Sequence, residues 1–149
     1  ANSIALAEKN MHFRIAIPLI GGGIFIQRLG VTPAQLAAEI IKAARASRSM
    51  IEVRFVAFAE ADVQAFRDGW KIVEREDYRH MDGMEINQGS ITEFKVHGAT
   101  AIVNAANTEV RFGGDGVTGG GLAGAIGRAT ENFHGINAEA AEIIAGLRR

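Results

Sequence analysis

The sequence predicts an α/β fold, a three-layer α/β/α sandwich built on a mixed sheet. Three observations carry that prediction. Apolar runs rich in Val, Ile and Phe over residues 12–20, 51–58 and 99–103 show little polar alternation, as strands buried on both faces do. Between and beyond them, apolar residues recur at helical spacing. Glycine-rich turns follow two of the runs, where an open α/β sheet hands the chain from strand to helix.

Taken in order, residues 3–9 suit a short amphipathic helix with Ile4, Leu6 and Ala7 on its apolar side. The strand over 12–20 brings Phe13, Ile15, Ala16, Ile17, Leu19 and Ile20 inward and stops at Gly21-Gly22-Gly23. Thr32 is placed as an N-cap, Pro33 as the first helical residue, and 34–47 as the helix behind them, with Leu36, Ala37, Ile40, Ile41 and Ala44 facing the core. A second strand over 51–58 leads to a helix over 61–70. Residues 71–83, dense in charge and weak in periodicity, are expected to form a surface connector. A short strand over 84–89 follows, then Ser90, which could cap a single helical turn with Glu93 completing a capping box. The third clear strand is 99–103, and helices are expected over 122–130 and 138–147.

Composition limits the function classes. At 149 residues with 48% hydrophobic content the chain suits one domain with one core. A net charge of −1 provides no global field to recruit nucleic acid or an anionic membrane, so a nucleic-acid partner is not expected. The lack of cysteine excludes disulfides, thiolate metal sites and a cysteine nucleophile. His12, His80, His97 and His134 are scattered without metal-ligand spacing, and neither a metal nor a cofactor is called for. No apolar run approaches the roughly 18 residues of a membrane span. The first nine residues lack a basic region followed by an apolar core, so a cytoplasmic protein without a leader is the expectation.

Chemistry concentrates in residues 100–130. A buried strand ends in Asn104-Ala105-Ala106-Asn107. Gly113-Gly114-Asp115-Gly116 and Gly119-Gly120-Gly121 then run into the helix-like stretch beginning at Leu122. Carboxamides and unobstructed backbone N–H groups at the mouth of a helix suit an anionic, hydroxyl-rich ligand. Gly21-Gly22-Gly23 after the first strand supplies a second such turn. The two could cup a pyrophosphate, because no Cβ blocks close approach. Neither turn has the G-x-G-x-x-G of a dinucleotide fold or the Lys-Ser/Thr of a P-loop. Taken singly, each glycine run can be a flexible turn, each asparagine can satisfy its own loop, and Phe25 and Phe58 can be core. Asp115 suits either a catalytic carboxylate or a turn.

Together these segments resemble the macrodomains, the ADP-ribose-binding modules. The resemblance rests on Asn104-Ala-Ala-Asn107 with the stretch from Gly119 to Thr130, on Gln88-Gly89-Ser90-Ile91-Thr92, on the stretch from Ile15 to Phe25, and on Val53 to Phe58. It implies ADP-ribose, or ADP-ribosylated protein, as the partner. The order of the motifs departs from the family. Residues 1–70 correspond to the family's C-terminal half and 84–149 to its N-terminal half, with 71–83 joining the usual termini: a circular permutation within a single domain. Two strands usual in the family find no counterpart. Their loss would leave the strand over 100–103 as a sheet edge open to a homodimer.

By matching position, Asn107 would hold the distal ribose, and it is the candidate catalytic residue. Asn104 would tie the loop's own backbone. Gly119, Gly120, Gly121 and Leu122 would line one side of the pyrophosphate and Gly21, Gly22, Gly23 and Ile24 the other. Phe25 would pack beside the distal ribose and Phe58 beside adenine, with Ser90 and Ile91 in the adenine turn. The family usually has aspartate where Ser90 stands, and an uncharged acceptor there costs about 1–2 kcal/mol of that contact. One hydrolase subgroup has an aspartate where Ala123 stands, so that route is missing; another has a Gly-Gly-Gly-x-Ala loop like this one. Hydrolysis of a mono-ADP-ribose linkage, binding without turnover, and a degenerate or engineered scaffold with weakened binding all remain open at this level.

Overall fold

The computed structural model describes residues 2–22, 26, 30–47, 49–76, 82–105, 121–130 and 146. The chain forms two compact units, Ala1–Val103 and Asn104–Arg149.

The first unit holds α1 (Asn2–Lys9), β1 (Arg14–Ile17), α2 (Pro33–Ala46), β2 (Glu52–Ala57), α3 (Glu60–Glu76), β3 (Met84–Gln88), a single turn α4 (Phe94–His97) and β4 (Ala101–Ile102). Its four strands run in the order β3-β2-β1-β4. Every pairing is parallel: Ile15 pairs with Val53, Phe55 with Ile86, and Ile15 again with Ala101 on its other side. A mixed sheet was expected; no antiparallel strand stands among the described residues. β4 occupies one edge of the described sheet and β3 the other.

Alternation sets the core. Ile15, Ile17, Val53, Phe55 and Ala57 share one face and join Ile4 and Ala7 of α1, Ala37, Ala38, Ile41 and Ala44 of α2, and Val63, Phe66 and Val73 of α3. Fully burying a side chain such as Phe55 is worth about 1.5–3 kcal/mol. Its ring stacks on Phe66 at 5.2 Å and meets Trp70 edge-on at 6.4 Å. Ala16 and Val56, on the opposite face, are buried as well, so these strands are covered on both sides. That is why their sequences lack polar alternation.

The start of α2 follows its capping chemistry. Thr32 accepts from the Gln35 backbone N–H at 3.1 Å, and the Gln35 side chain accepts from Thr32 N–H at 2.8 Å, with Pro33 at the first helical position. Gly69 lets α3 close on this helix. A Cβ there would stand 2.7 Å from the Ala38 nitrogen and 2.8 Å from the Ala34 carbonyl oxygen.

Several expectations need correction. α3 runs to Glu76 rather than ending at Trp70, so residues 71–76 are helix and not connector. Buried Val73 continues the inward stripe of Val63, Phe66 and Gly69, while the charges form its outer face. Glu76 also takes Lys42 of α2 at 2.6 Å. The first strand is only Arg14–Ile17, and Phe13, expected inside, is 84% exposed because it precedes the covered part of the sheet. β4 is likewise reduced to Ala101–Ile102. Ser90 caps no helix: α4 begins after Glu93, which makes no side-chain cap, and Ser90 folds onto Thr92 instead.

The second unit contributes α5 (Gly121–Ala129), where a helix over 122–130 was expected. Gly124, Ile126 and Gly127 are buried, and Thr130 Oγ1 donates to the Ile126 carbonyl at 2.8 Å. The helix expected over 138–147 lies outside the described residues except for Gly146. Among the described residues no helix is long and apolar enough to cross a membrane, and no group of three His, Cys, Asp or Glu side chains could hold a metal ion.

Candidate functional site

Because β1 to β4 are all parallel, their C-terminal ends open on one edge of the sheet. Ligands of open α/β sheets sit outside that edge. In spatial order, the turn after β3 carries Ser90, Phe58 directly follows β2, and the turn after β1 carries Gly21 and Gly22.

The turn after β1 is tight. Gly22 N–H donates to the Leu19 carbonyl at 3.3 Å, and Gly21 between them has φ 83°, a conformation that a side chain would strain. Ile20, expected inside, is partly exposed on this turn. The Gly22 N–H is thus engaged within the turn itself. Phe58, the first residue past β2, is 81% exposed, although single large aromatics are ordinarily buried.

The turn after β3 is held from three directions. Gly89 N–H donates to the Ala57 carbonyl at 3.0 Å, tying it to β2. Gly89 has φ 146°, and a Cβ there would come within 2.8 Å of Val96, so only glycine lets the turn lie on α4. Ser90 Oγ sits 2.8 Å from Thr92 Oγ1 and accepts from Thr92 N–H at 3.3 Å. Ile91 is buried, so its side chain belongs to the core beneath the turn.

His97 completes this support, and sequence reasoning passed it over as one of four scattered histidines. It is 5% exposed. Ala99 N–H donates to its Nδ1 at 2.9 Å, which leaves Nε2 to donate to the Ile91 carbonyl at 2.9 Å. The available signal was the Gly98 directly after it, which ends α4 at φ 61° and turns the backbone back toward the ring.

Away from this edge, on the sheet face opposite the helical core, Arg54 is almost fully buried and contacts Glu52 at 2.9 Å and Glu85 at 3.2 Å. Arg14 meets the same Glu52 at 2.6 Å. The Arg14 hydrogen bond, backed by the charges of Arg14 and Arg54, holds the Glu52 carboxyl below the usual glutamate range. The arrangement neutralises a buried guanidinium and is structural.

In the second unit, the Asn104 Oδ1 is buried and has no hydrogen-bond partner among the described residues. Gly121 opens α5, and Leu122, its second residue, is partly buried. Asn107, Gly23, Ile24, Phe25, Gly119 and Gly120, all proposed from the sequence, lie outside the described residues.

No family model matches the chain, and no curated protein matches it in sequence. Among solved structures, the fold is similar to the Oryza sativa APL macrodomain in complex with ADP-ribose, with a TM-score of 0.64 and 20% identity. The match covers 85% of this chain and 61% of that one, so this chain spans about three fifths of the rice structure. The architecture is therefore α/β and macrodomain-like.

Proposed function

We propose that this chain binds ADP-ribose, free or attached to protein, along the C-terminal edge of its parallel sheet. The observation that supports this most is the row formed by the Ser90 turn, Phe58 and the Gly21-Gly22 turn on neighbouring strands. From β3 to β1 is two strand spacings, about 10 Å. A purine set against Phe58 and the Ser90 turn would bring its ribose and 5′-phosphate toward the glycine turn. The similar rice macrodomain holds ADP-ribose, which agrees with this choice of nucleotide.

In this reading Phe58 supplies a face for the base. The Ser90 hydroxyl accepts from Thr92 N–H, and with its own proton given to Thr92 Oγ1 it has one lone pair left to accept from an exocyclic amine. The turn at Gly21 and Gly22 would lie toward the phosphates. For Gly23, Ile24, Gly119, Gly120, Gly121 and Leu122 at the pyrophosphate, and for Asn107 and Phe25 at the distal ribose, the proposal rests on the resemblance of their motifs alone. The proposal includes the permuted arrangement, in which β1 and β2, from residues 1–70, and β3 and β4, from residues 84–149, share one sheet. Hydrolysis of a mono-ADP-ribosyl linkage would add one step: water attacks the anomeric carbon of a ribose held by Asn107, the bond from that carbon to the protein side chain breaks, and the departing side chain takes up the proton the water loses.

Calorimetric titration with ADP-ribose and with AMP tests the binding. Saturable heat is expected for both, with ADP-ribose the tighter because it alone carries the pyrophosphate and the distal ribose. A folded protein that yields no heat with either overturns the proposal. Release of label from a mono-ADP-ribosylated protein, lost in Asn107→Ala, is the result expected if the site also turns over.

A further inference from the structure

The edge of the sheet at β3 carries a feature independent of the ligand edge. α3 lies over both β2 and β3, and beyond it an open groove of about 680 Å³ runs between the helix and the edge strand. Its floor is apolar: Trp70 from α3, and Met84 and Ile86 from the core-facing side of β3, all only partly buried. Among the described residues β3 pairs with β2 alone. An edge strand beside an apolar groove is a template for another strand whose alternate side chains fill that groove.

Charge along the groove names the occupant. Arg67 and Glu74 flank Trp70 and Lys71 on the same face of α3, one charge of each sign at either end. We propose that this edge binds a second copy of the chain about a twofold axis, β3 pairing antiparallel with β3 of the partner. The axis sets Arg67 against Glu74 of the partner subunit, twice over, and Trp70 against Lys71 of the partner subunit, a cation–π contact.

Centring the strands on Ile86 opposes Glu85 to the uncharged Asn87 of the partner subunit and Met84 to Gln88 of the partner subunit. A register slipped by two residues would set Glu85 against its own equivalent, which is destabilising. Spacing agrees. Strands about 4.8 Å apart, each with a helix lying over it and its inner neighbour, leave the two α3 helices about 10 Å apart, the distance at which helices pack. The ion pairs Arg67–Glu60 and Lys71–Asp68 that would rearrange are exposed and cost little to exchange. Trp70 Nε1 donates to Glu74 Oε1 at 2.8 Å, and the second carboxylate oxygen is left for Arg67 of the partner subunit. β4, the other edge, presents only Ala101–Ile102 and is too short to rival it.

Sedimentation velocity across a concentration series tests the proposal on the intact chain. The wild-type protein should pass from monomer to dimer. Arg67→Glu and Glu74→Arg, both at exposed positions, should each weaken the dimer at least tenfold by setting like charges together. The double variant, which restores opposite charges across the axis, should recover it. A wild-type protein that stays monomeric at every concentration overturns the proposal, as does a dimer that both single reversals leave intact.

Discussion

His97 donates from Nε2 to the carbonyl of Ile91 at 2.9 Å, and its ring closes the turn that presents Ser90 at the end of β3. Since Ala99 N–H can only donate, Nδ1 accepts from it and Nε2 carries the proton given to the Ile91 carbonyl. Replacing it leaves a buried carbonyl and a buried amide without their partner. His97→Ala should destabilise the protein by about 1–3 kcal/mol, measured by denaturant unfolding. It should also weaken ADP-ribose binding under conditions where the variant is fully folded. Unchanged stability would mean that the turn stands without the ring.

Gly69 is where the α2–α3 contact is tightest. A methyl group there would overlap Ala37 Cβ and the backbone of Ala34 and Ala38, and neither can retreat without separating two packed helices. Gly69→Ala should cost about 1–3 kcal/mol despite alanine's better helix propensity, read as a lowered thermal midpoint. A gain in stability would show that the helices sit farther apart.

How far such features can be seen in the sequence depends on what creates them. The start of α2 was legible because Thr32, Pro33 and Gln35 act within one turn of each other. The end of α3 was not: Val73 continues the apolar stripe, but the charges around it resemble a loop until Lys42 of another helix gives Glu76 a partner. Phe13 matched its apolar neighbours and is nonetheless exposed, since hydropathy does not reveal where the sheet's cover begins. The features on which the proposed ligand edge rests, the glycine turn at Gly21 and the aromatic at Phe58, stand out in the sequence itself. His97 and Arg54 were not, because each is fixed by residues that only the strand register brings near.

Stability should depend on pH through Glu52. Hydrogen bonding from Arg14, with the charges of Arg14 and Arg54, lowers its folded-state value, so the folded protein binds a proton there less readily than the unfolded chain. The contribution is fully present above the ordinary glutamate value of about 4.3 and is lost as pH falls through the lower folded value. Denaturant melts of wild type and Glu52→Gln should therefore differ by a constant amount well above the ordinary value of about 4.3 and converge as pH falls through the lower folded value. A gap that widens in acid would reverse the assignment.

Phe58 is exposed and contributes little to the core, which separates its effect on binding from its effect on stability. Phe58→Ala should leave the unfolding free energy within about 0.5 kcal/mol of wild type. It should weaken ADP-ribose binding by about 1–3 kcal/mol, the value of a base stacked on an aromatic face. Equal affinity in calorimetry would remove Phe58 from the site.

The central claim is that ligand binds along the C-terminal edge of the sheet, and an amide chemical-shift titration with ADP-ribose tests it most directly. Saturable shifts should appear at Gly21, Gly22, Phe58, Gly89 and Ser90, while Phe13 and Glu52 at the opposite edge stay in place. A folded protein whose spectrum does not change, or whose shifts gather around Phe13 and Glu52, would contradict the account.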